Sequence, residues 1–150
     1  MLAALLCVAV GAEAGTAGAR SADLTPAQYK AKLAAIGQES NSTQALISKG
    51  LSAKKVPVLV AALGQFATAQ DHLANEVSAL KPPTKAVAAN KQLAQGLHDL
   101  ATAVRKVAKK LKSVPTVAKA KVLLNKDTTG IKAGQEVDAA LTALTKLGYA

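Results

Sequence analysis

The sequence predicts an all-α fold, an up-down-up-down antiparallel four-helix bundle, from three observations. Large aliphatic residues recur every three or four positions through long alanine-rich stretches, which is the spacing of one helix face. Turn signals separate these stretches: a glycine after the first, and prolines after the second and third. Aromatic residues make up only 2% of the chain, so aliphatic side chains must form the core. Short connections make successive helices antiparallel neighbours.

The first helix is predicted to begin after Thr25. The Thr25 side chain suits the cap position, the proline that follows suits the first helical position, and Gln28 completes a capping box. Leu24 and Tyr29 are spaced to form a hydrophobic staple around this start. The helix is expected to stop near Gly50, and the polar run at residues 39–43 marks a place where it can bend or restart.

The other three helices are bounded by prolines. The second is predicted from Val56 to the double proline at residues 82–83, because two consecutive prolines cannot continue a helix. The third runs from Thr84 to about Lys112, and the fourth from Thr116 to Leu147, with a second polar interruption at residues 127–130. The apolar residues of the fourth helix that are expected to face inward are Ile131, Val137, Leu141 and Leu144.

Each predicted helix contains an interior glycine, at positions 37, 64, 96 and 134. In an exposed helix interior each glycine costs about 1 kcal/mol relative to alanine. We interpret these glycines as points where neighbouring helices approach closely. The alternative is a gap shaped for a ligand.

Residues 1–22 have the character of a secretory signal peptide, and residues 23–150 are predicted to form one domain, the four-helix bundle. An apolar run over residues 1–10 precedes a string of small residues with two small-x-small cleavage sites. No basic residue precedes the run, so we expect the basic part of the signal to lie upstream of Met1. The run is shorter than the roughly 20 apolar residues that span a bilayer. We therefore expect a secreted or cell-envelope protein.

Cys7 is the only cysteine, which excludes an intramolecular disulfide and a cysteine-based metal site. Its place in the apolar run raises the alternative of lipid attachment. Lipoprotein signals need a small residue before that cysteine, and Leu6 occupies the position here.

Three segments of the chain, residues 24–29 (LTPAQY), 80–84 (LKPPT) and 89–100 (ANKQLAQGLHDL), carry a resemblance to known proteins. They resemble the helix start and the double-proline turn of small secreted or lipid-anchored helical proteins of actinobacteria. The resemblance implies export and a helical fold. It implies no activity, and no catalytic residue transfers with it.

Positive charge is concentrated in one part of the chain. No acidic residue occurs between Asp99 and Asp127, a window that holds eight basic residues. In an antiparallel bundle the junction of helices one and two lies at the same end as that of helices three and four. We therefore predict a polyanion-binding pole formed by Lys49, Lys54, Lys55, Arg105, Lys106, Lys109, Lys110, Lys112, Lys119 and Lys121.

The net charge of +10 favours a polyanionic partner, bound through counterion release. Proteins that read nucleic acids use arginine forks and aromatic stacking, whereas this window has one arginine and no aromatic residue. We therefore expect a monomer that binds an anionic cell-envelope polymer or lipid surface. A cytoplasmic DNA-associated protein is the alternative. The explanation that needs no partner is that the lysines form a solvated face that maintains solubility.

No catalytic or cofactor signature is present, so we expect a non-enzymatic protein without a cofactor. Counted from the double-proline turn, His98 lies about five residues farther along its helix than His72 does, which is about 8 Å along the helix axis. This offset argues against a metal site between the two histidines. The carboxylates are scattered, with no pair suited to acid–base catalysis. A carrier of a small apolar ligand, using a gap near the interior glycines, is the third hypothesis.

Overall fold

The computed structural model describes residues 23–150, and in these residues every regular element is helical. The all-α prediction is confirmed. The predicted signal peptide and Cys7 lie outside the described residues, and no described helix is both long and apolar enough to cross a membrane. The described helices are α1 (Pro26–Leu51), α2 (Val56–Ala79), α3 (Val87–Leu111), α4 (Val117–Asn125) and α5 (Thr128–Lys146), with a 3₁₀ turn at Thr84–Ala86 before α3.

Helix α1 begins as the sequence predicts. The Gln28 backbone N–H donates to Thr25 Oγ1 at 3.3 Å, and the Thr25 N–H donates to Gln28 Oε1 at 3.0 Å, which completes the capping box. Leu24 and Tyr29 belong to the same apolar cluster. The Leu24 N–H also donates to the Lys81 carbonyl at 2.8 Å. The start of α1 is thereby fixed to the turn between α2 and α3.

The polar run at residues 39–43 does not interrupt α1. Ser42 Oγ donates to the Gln38 carbonyl at 3.1 Å and Thr43 Oγ1 to the Ser40 carbonyl at 2.7 Å, so both hydroxyls bond to the preceding turn of a continuous helix. Thr43 is buried and accepts a hydrogen bond from Gln70 Nε2 of α2 at 3.1 Å. The run is therefore part of the α1–α2 interface.

The predicted fourth helix is two helices, α4 and α5. The Gly130 N–H donates to Asp127 Oδ2 at 2.9 Å, which makes Asp127 the cap of a new helix. A helix start leaves its first N–H groups without internal partners, and an aspartate at this position supplies an acceptor. The count of four is thus corrected to five α-helices in residues 23–150, with the break at the polar interruption.

Helix α3 is the centre of the packing. It packs against α2 on one side and α5 on the other, while α1 packs against α2. Helices α1 and α5 do not pack closely against each other, so an open groove runs between them. Leu141, which we expected to face inward, lines this groove and is 40% exposed. Ile131, in the first turn after the break, is 52% exposed and also contradicts that expectation.

The apolar core has two parts. The larger surrounds Tyr29 and includes Leu73, Leu93, Leu97 and Leu144. The smaller lies toward the α1–α2 and α3–α4 loops and consists of Leu59, Leu63, Val107, Ala108, Leu111 and Ala120. Buried alanines separate the bulky residues, which allows the helices to approach closely.

Tyr29 is the polar centre of the larger cluster. Its side chain is fully buried, and its hydroxyl donates to Asn90 Oδ1 at 2.9 Å. Asn90 Nδ2 in turn donates to the Val77 carbonyl at 2.9 Å, in the last turn of α2. One hydrogen-bonded chain therefore connects α1, α3 and α2.

The C-terminal residues close over this tyrosine. Gly148 follows α5 with φ of 81°, a left-handed conformation that glycine adopts without strain, and the Tyr149 N–H donates to the Leu144 carbonyl at 2.9 Å. The Tyr149 ring meets Tyr29 edge to face, with centroids 5.2 Å apart and planes at 77°. Burial, and secondarily the charge of Tyr149, raises the pKa of Tyr29 to about 12.

We predict that the protein loses stability between pH 10 and pH 12 through Tyr29. The unfolded phenol has a pKa near 10, so below pH 10 both states are protonated; above it the unfolded state ionises first. The free energy of unfolding should fall by about 1.4 kcal/mol per pH unit in this window, up to about 3 kcal/mol. Urea unfolding followed by circular dichroism measures it.

The matched control is Tyr29→Phe, which keeps the ring and every lysine. The stability difference between wild type and this variant should shrink across pH 10–12, because the variant has no phenol to ionise. A difference that stays constant with pH would contradict the raised pKa.

Candidate functional site: a basic pole

The loops that follow α1 and α3 lie side by side at one end of the molecule. They line a shared cleft of about 570 Å³, with Lys54 and Lys55 from the first loop and Lys112 from the second. The first turns of α2 and α4 also line the cleft, and a helix N-terminus carries partial positive charge. We call this end the basic pole and define it by the ten predicted residues: Lys49, Lys54, Lys55, Arg105, Lys106, Lys109, Lys110, Lys112, Lys119 and Lys121.

The pole holds nearly all of the charge excess of the chain. Residues 40–70 and 100–126 contain eleven of the nineteen basic residues and none of the nine acidic ones. The rest of the chain has eight basic and nine acidic residues and is therefore close to neutral. The two segments meet at the pole because α1 and α2, and likewise α2 and α3, run antiparallel.

All ten side chains of the pole are exposed. Lys49 lies in the last turn of α1, and Lys109 and Lys110 lie in the last turn of α3, beside the loops. Lys119 follows the start of α4, where its backbone N–H donates to Thr116 Oγ1 at 3.3 Å. Lys54, Lys55 and Lys112 share one cleft, whereas Lys121 lies about one turn and Lys106 nearly two turns along the helix from it.

Arg105 differs from the lysines of the pole because it has an acidic partner. Its guanidinium forms an ion pair with Asp71 of α2, and His98 Nδ1 donates to the same carboxylate at 2.8 Å. Burial alone would raise the pKa of Asp71, but the hydrogen bonds and charges of Arg105 and His98 outweigh it and lower that pKa below 3.8. Asp71 is thus ionised at neutral pH and neutralises part of the Arg105 charge.

Close packing beneath the pole fixes its loops. Gly50, which we expected in the gap after the first helix, lies inside the last turn of α1 and is buried. A Cβ at this position would lie 2.7 Å from Ala62 Cβ, so α1 and α2 touch here through their smallest side chains. Leu111 and Ala120 are fully buried in the cluster below.

Apolar side chains are exposed among the lysines. Leu51 at the end of α1 and Val58 at the start of α2 are 38% and 48% exposed. On α4, Ala120 is buried, so the opposite face points outward and carries Val122, which is 53% exposed, next to Lys119. The pole therefore presents both charge and apolar surface.

The structure corrects our interpretation of the interior glycines. A Cβ at Gly96 would lie 3.1 Å from Val137 Cγ2 and 3.2 Å from the Val137 backbone nitrogen, so this glycine does allow α3 and α5 to approach closely. A Cβ at Gly37, Gly64 or Gly134 would have no neighbour within 4 Å among the described residues 23–150. The close-contact interpretation is right for one of the four positions and wrong for three.

One of those open glycines lines the groove between α1 and α5. The groove has a volume of about 500 Å³, with Leu73 and Leu93 lining it from α2 and α3. Gly37 of α1 and Leu141 of α5 border it, and Tyr149 lies at the end where the chain terminates. Mostly apolar clefts of this size are typical of small-molecule sites.

The two histidines lie in separate clusters. His98 is bonded to Asp71, as described, whereas His72 lies beside Glu39 of α1 and Glu76 of its own helix. Sequence reasoning missed this second group because it compared the histidines with each other. The available signal was the four-residue spacing of His72 and Glu76, which places both on one helix face.

Comparison with models of known protein families, with curated proteins and with solved structures gives no match to this chain. The resemblance to actinobacterial helical proteins stays a prediction from the sequence.

We predict opposite effects of alanine at two of the interior glycines. Gly96→Ala should destabilise the protein by up to about 2 kcal/mol, because the new methyl group presses on the Val137 side chain and on the α5 backbone, and this overpacking exceeds the gain in helix propensity. Gly134→Ala should stabilise it by about 0.5–1 kcal/mol, because open space leaves only the gain in helix propensity. Urea unfolding of both variants measures the changes, and stabilisation by Gly96→Ala would contradict the close α3–α5 contact.

Proposed function

We propose that this protein is an exported, monomeric, non-enzymatic helical bundle of up-down topology that attaches to an anionic surface of the cell envelope through its basic pole. The observation that carries the proposal is the segregation of charge: the pole holds nearly all of the positive excess of the chain. Such a distribution orients a protein toward a polyanion and strengthens binding at low salt.

Solubility alone does not account for this distribution. Lysines spread over the whole surface would maintain solubility equally well, whereas like charges three and four residues apart on α3 repel each other. Each such pair costs a few tenths of a kcal/mol. Arg105 has an internal partner. Lys54, Lys55 and Lys112, in contrast, border a cleft whose lining within residues 23–150 includes no acidic residue.

Among anionic partners, a lipid surface is the one favoured by the exposed apolar side chains. Val58 and Val122 suit insertion at the headgroup boundary, while neighbouring lysines attract anionic headgroups. Nucleic-acid recognition would use arginine forks or stacking aromatics, and the loops and α4 at the pole contain neither. Binding to a charged envelope polymer would involve the lysines but not these exposed apolar side chains.

A cytoplasmic DNA-associated protein is the alternative use of the same charge. The two hypotheses differ in the fate of residues 1–22, which export would remove. N-terminal sequencing of the protein from its native cell distinguishes them: a start within residues 13–23 supports export, and an intact N-terminus supports the cytoplasmic alternative.

We predict that removing four charges from the pole abolishes attachment. The variant Lys106→Gln, Lys109→Gln, Lys110→Gln and Lys112→Gln should bind vesicles of equal phosphatidylglycerol and phosphatidylcholine at least tenfold more weakly than wild type. Each lysine near an anionic surface contributes about 1 kcal/mol. Co-sedimentation in 50 mM salt measures the affinity, which should fall steeply by 300 mM salt.

The matched control removes four exposed lysines from elsewhere: Lys30→Gln, Lys32→Gln, Lys85→Gln and Lys91→Gln. Both variants lower the net charge from +10 to +6, so only the location differs. The control should stay within about threefold of wild type. Equal weakening of both variants would refute the pole, and wild-type retention on heparin or duplex DNA without vesicle binding would refute the lipid surface.

The α1–α5 groove favours a second candidate function, a carrier of a small apolar ligand. It is mostly apolar, it opens beside Gly37, and its volume of about 500 Å³ suits a small molecule. Its lining includes side chains of the larger core cluster, so a ligand there would touch the core directly.

A neutral fluorescent probe tests this candidate without interference from the lysines. N-phenyl-1-naphthylamine should bind with micromolar affinity, and Gly37→Leu should weaken it about tenfold by filling the groove. Gly64→Leu is the control, because Gly64 also faces open space but lies outside the groove. Equal affinity of all three proteins would refute the carrier.

A further inference from the structure

Three potential metal ligands converge where α1 crosses α2, away from the basic pole. Glu39 lies on α1, and His72 and Glu76 lie one turn apart on α2. His72 Nδ1 is 3.4 Å from Glu39 Oε1 and 4.0 Å from Glu76 Oε2, and the three ligand atoms all lie within 4.8 Å of one another. We propose that these side chains form a binding site for a divalent transition-metal ion, of which Zn²⁺ is the test case.

Both distances from His72 are longer than hydrogen bonds, and the shorter one matches the spacing of two ligands on a metal ion. A hydrogen bond from a ring nitrogen to a carboxylate spans about 2.7–3.2 Å, which both His72 distances exceed. Ligands 2.0–2.2 Å from a tetrahedral Zn²⁺ lie about 3.3–3.6 Å from one another, so small side-chain movements complete the site. His98 provides the contrast: it approaches Asp71 to 2.8 Å, a true hydrogen bond.

The packing of α1 on α2 holds the ligands in register. Thr43, one turn after Glu39, accepts a buried hydrogen bond from Gln70, which lies two residues before His72. The close approach of Gly50 to Ala62 fixes the same pair of helices farther along. The two helices therefore cannot slide past each other without breaking these contacts.

The ligand set selects the class of ion. One imidazole and two carboxylates suit Zn²⁺ and neighbouring first-row metals, whereas Ca²⁺ and Mg²⁺ prefer oxygen ligands alone. Two carboxylates close together repel each other, and a divalent cation relieves that repulsion. The positive pole does not oppose binding, since α1 extends twelve residues beyond Glu39, about 18 Å, before it ends at Leu51.

The three side chains are 41–61% exposed, which leaves a fourth coordination position open to water. A bound ion would bridge α1 and α2 at the surface. We therefore expect it to raise the thermal unfolding temperature, because an ion that binds only the folded chain shifts the equilibrium toward it.

Isothermal titration calorimetry of the full chain with Zn²⁺ tests the site. Every protein carries Cys7→Ser, so that the thiol does not compete. We expect one Zn²⁺ per chain with a micromolar Kd, at least tenfold weaker binding by His72→Ala, and similar weakening by Glu39→Gln. Co²⁺ should give the visible absorption bands of a four-coordinate site in the parent protein and not in His72→Ala.

His98→Ala is the matched control, since it removes the other histidine and should keep Zn²⁺ affinity within about twofold. Circular dichroism checks that each variant is folded. Three outcomes would overturn the site: no saturable Zn²⁺ binding below 1 mM, equal weakening by His98→Ala and His72→Ala, or displacement of Zn²⁺ by equimolar Ca²⁺, which would indicate unspecific carboxylate attraction.

Discussion

The hydrogen bond from the Tyr29 hydroxyl to Asn90 is the contact on which the rest of this structure depends. The core is built from alanine and aliphatic side chains, which pack without strong directional preference, and α1 does not pack closely against α5. Tyr29 is fully buried and connects α1 to α3, while Asn90 continues the chain to Val77 of α2. A buried polar group without a partner costs about 1–3 kcal/mol, so this chain of bonds penalises any slip of one helix along another.

The helix register that Tyr29 and Asn90 set at one end of the molecule determines which loops lie side by side at the opposite end. Along α1 and α2 it is maintained by the bond between Thr43 and Gln70 and by the contact of Gly50 with Ala62. The loops at residues 52–55 and 112–116 therefore lie beside each other, and their lysines border one cleft. Within residues 23–150 the charge is therefore distributed unevenly. One end is closed by the two tyrosines, and the opposite end carries nearly all of the excess positive charge.

Much of the fold was predictable because its signals are local. The capping box at Thr25 and the proline turns follow from side chains that bond, or cannot bond, to their own backbone. The glycines show the limit of such reasoning, since Gly96 and Gly134 look alike in sequence and differ only in what faces them. The group of Glu39 and His72 was missed for the same reason: it spans two helices and requires their register. The basic pole was predictable because antiparallel topology alone brings its segments to one end.

We propose that the charged end of the molecule is the end that binds the anionic surface. The most direct test is a set of ¹H–¹⁵N nuclear magnetic resonance spectra of the labelled protein, titrated with small bicelles containing phosphatidylglycerol. We expect the shift changes and line broadening to concentrate in residues 49–58 and 106–123, with the amides around Tyr29 and Asn90 unaffected. Changes centred on the α1–α5 groove, or spread evenly over the molecule, would contradict this proposal.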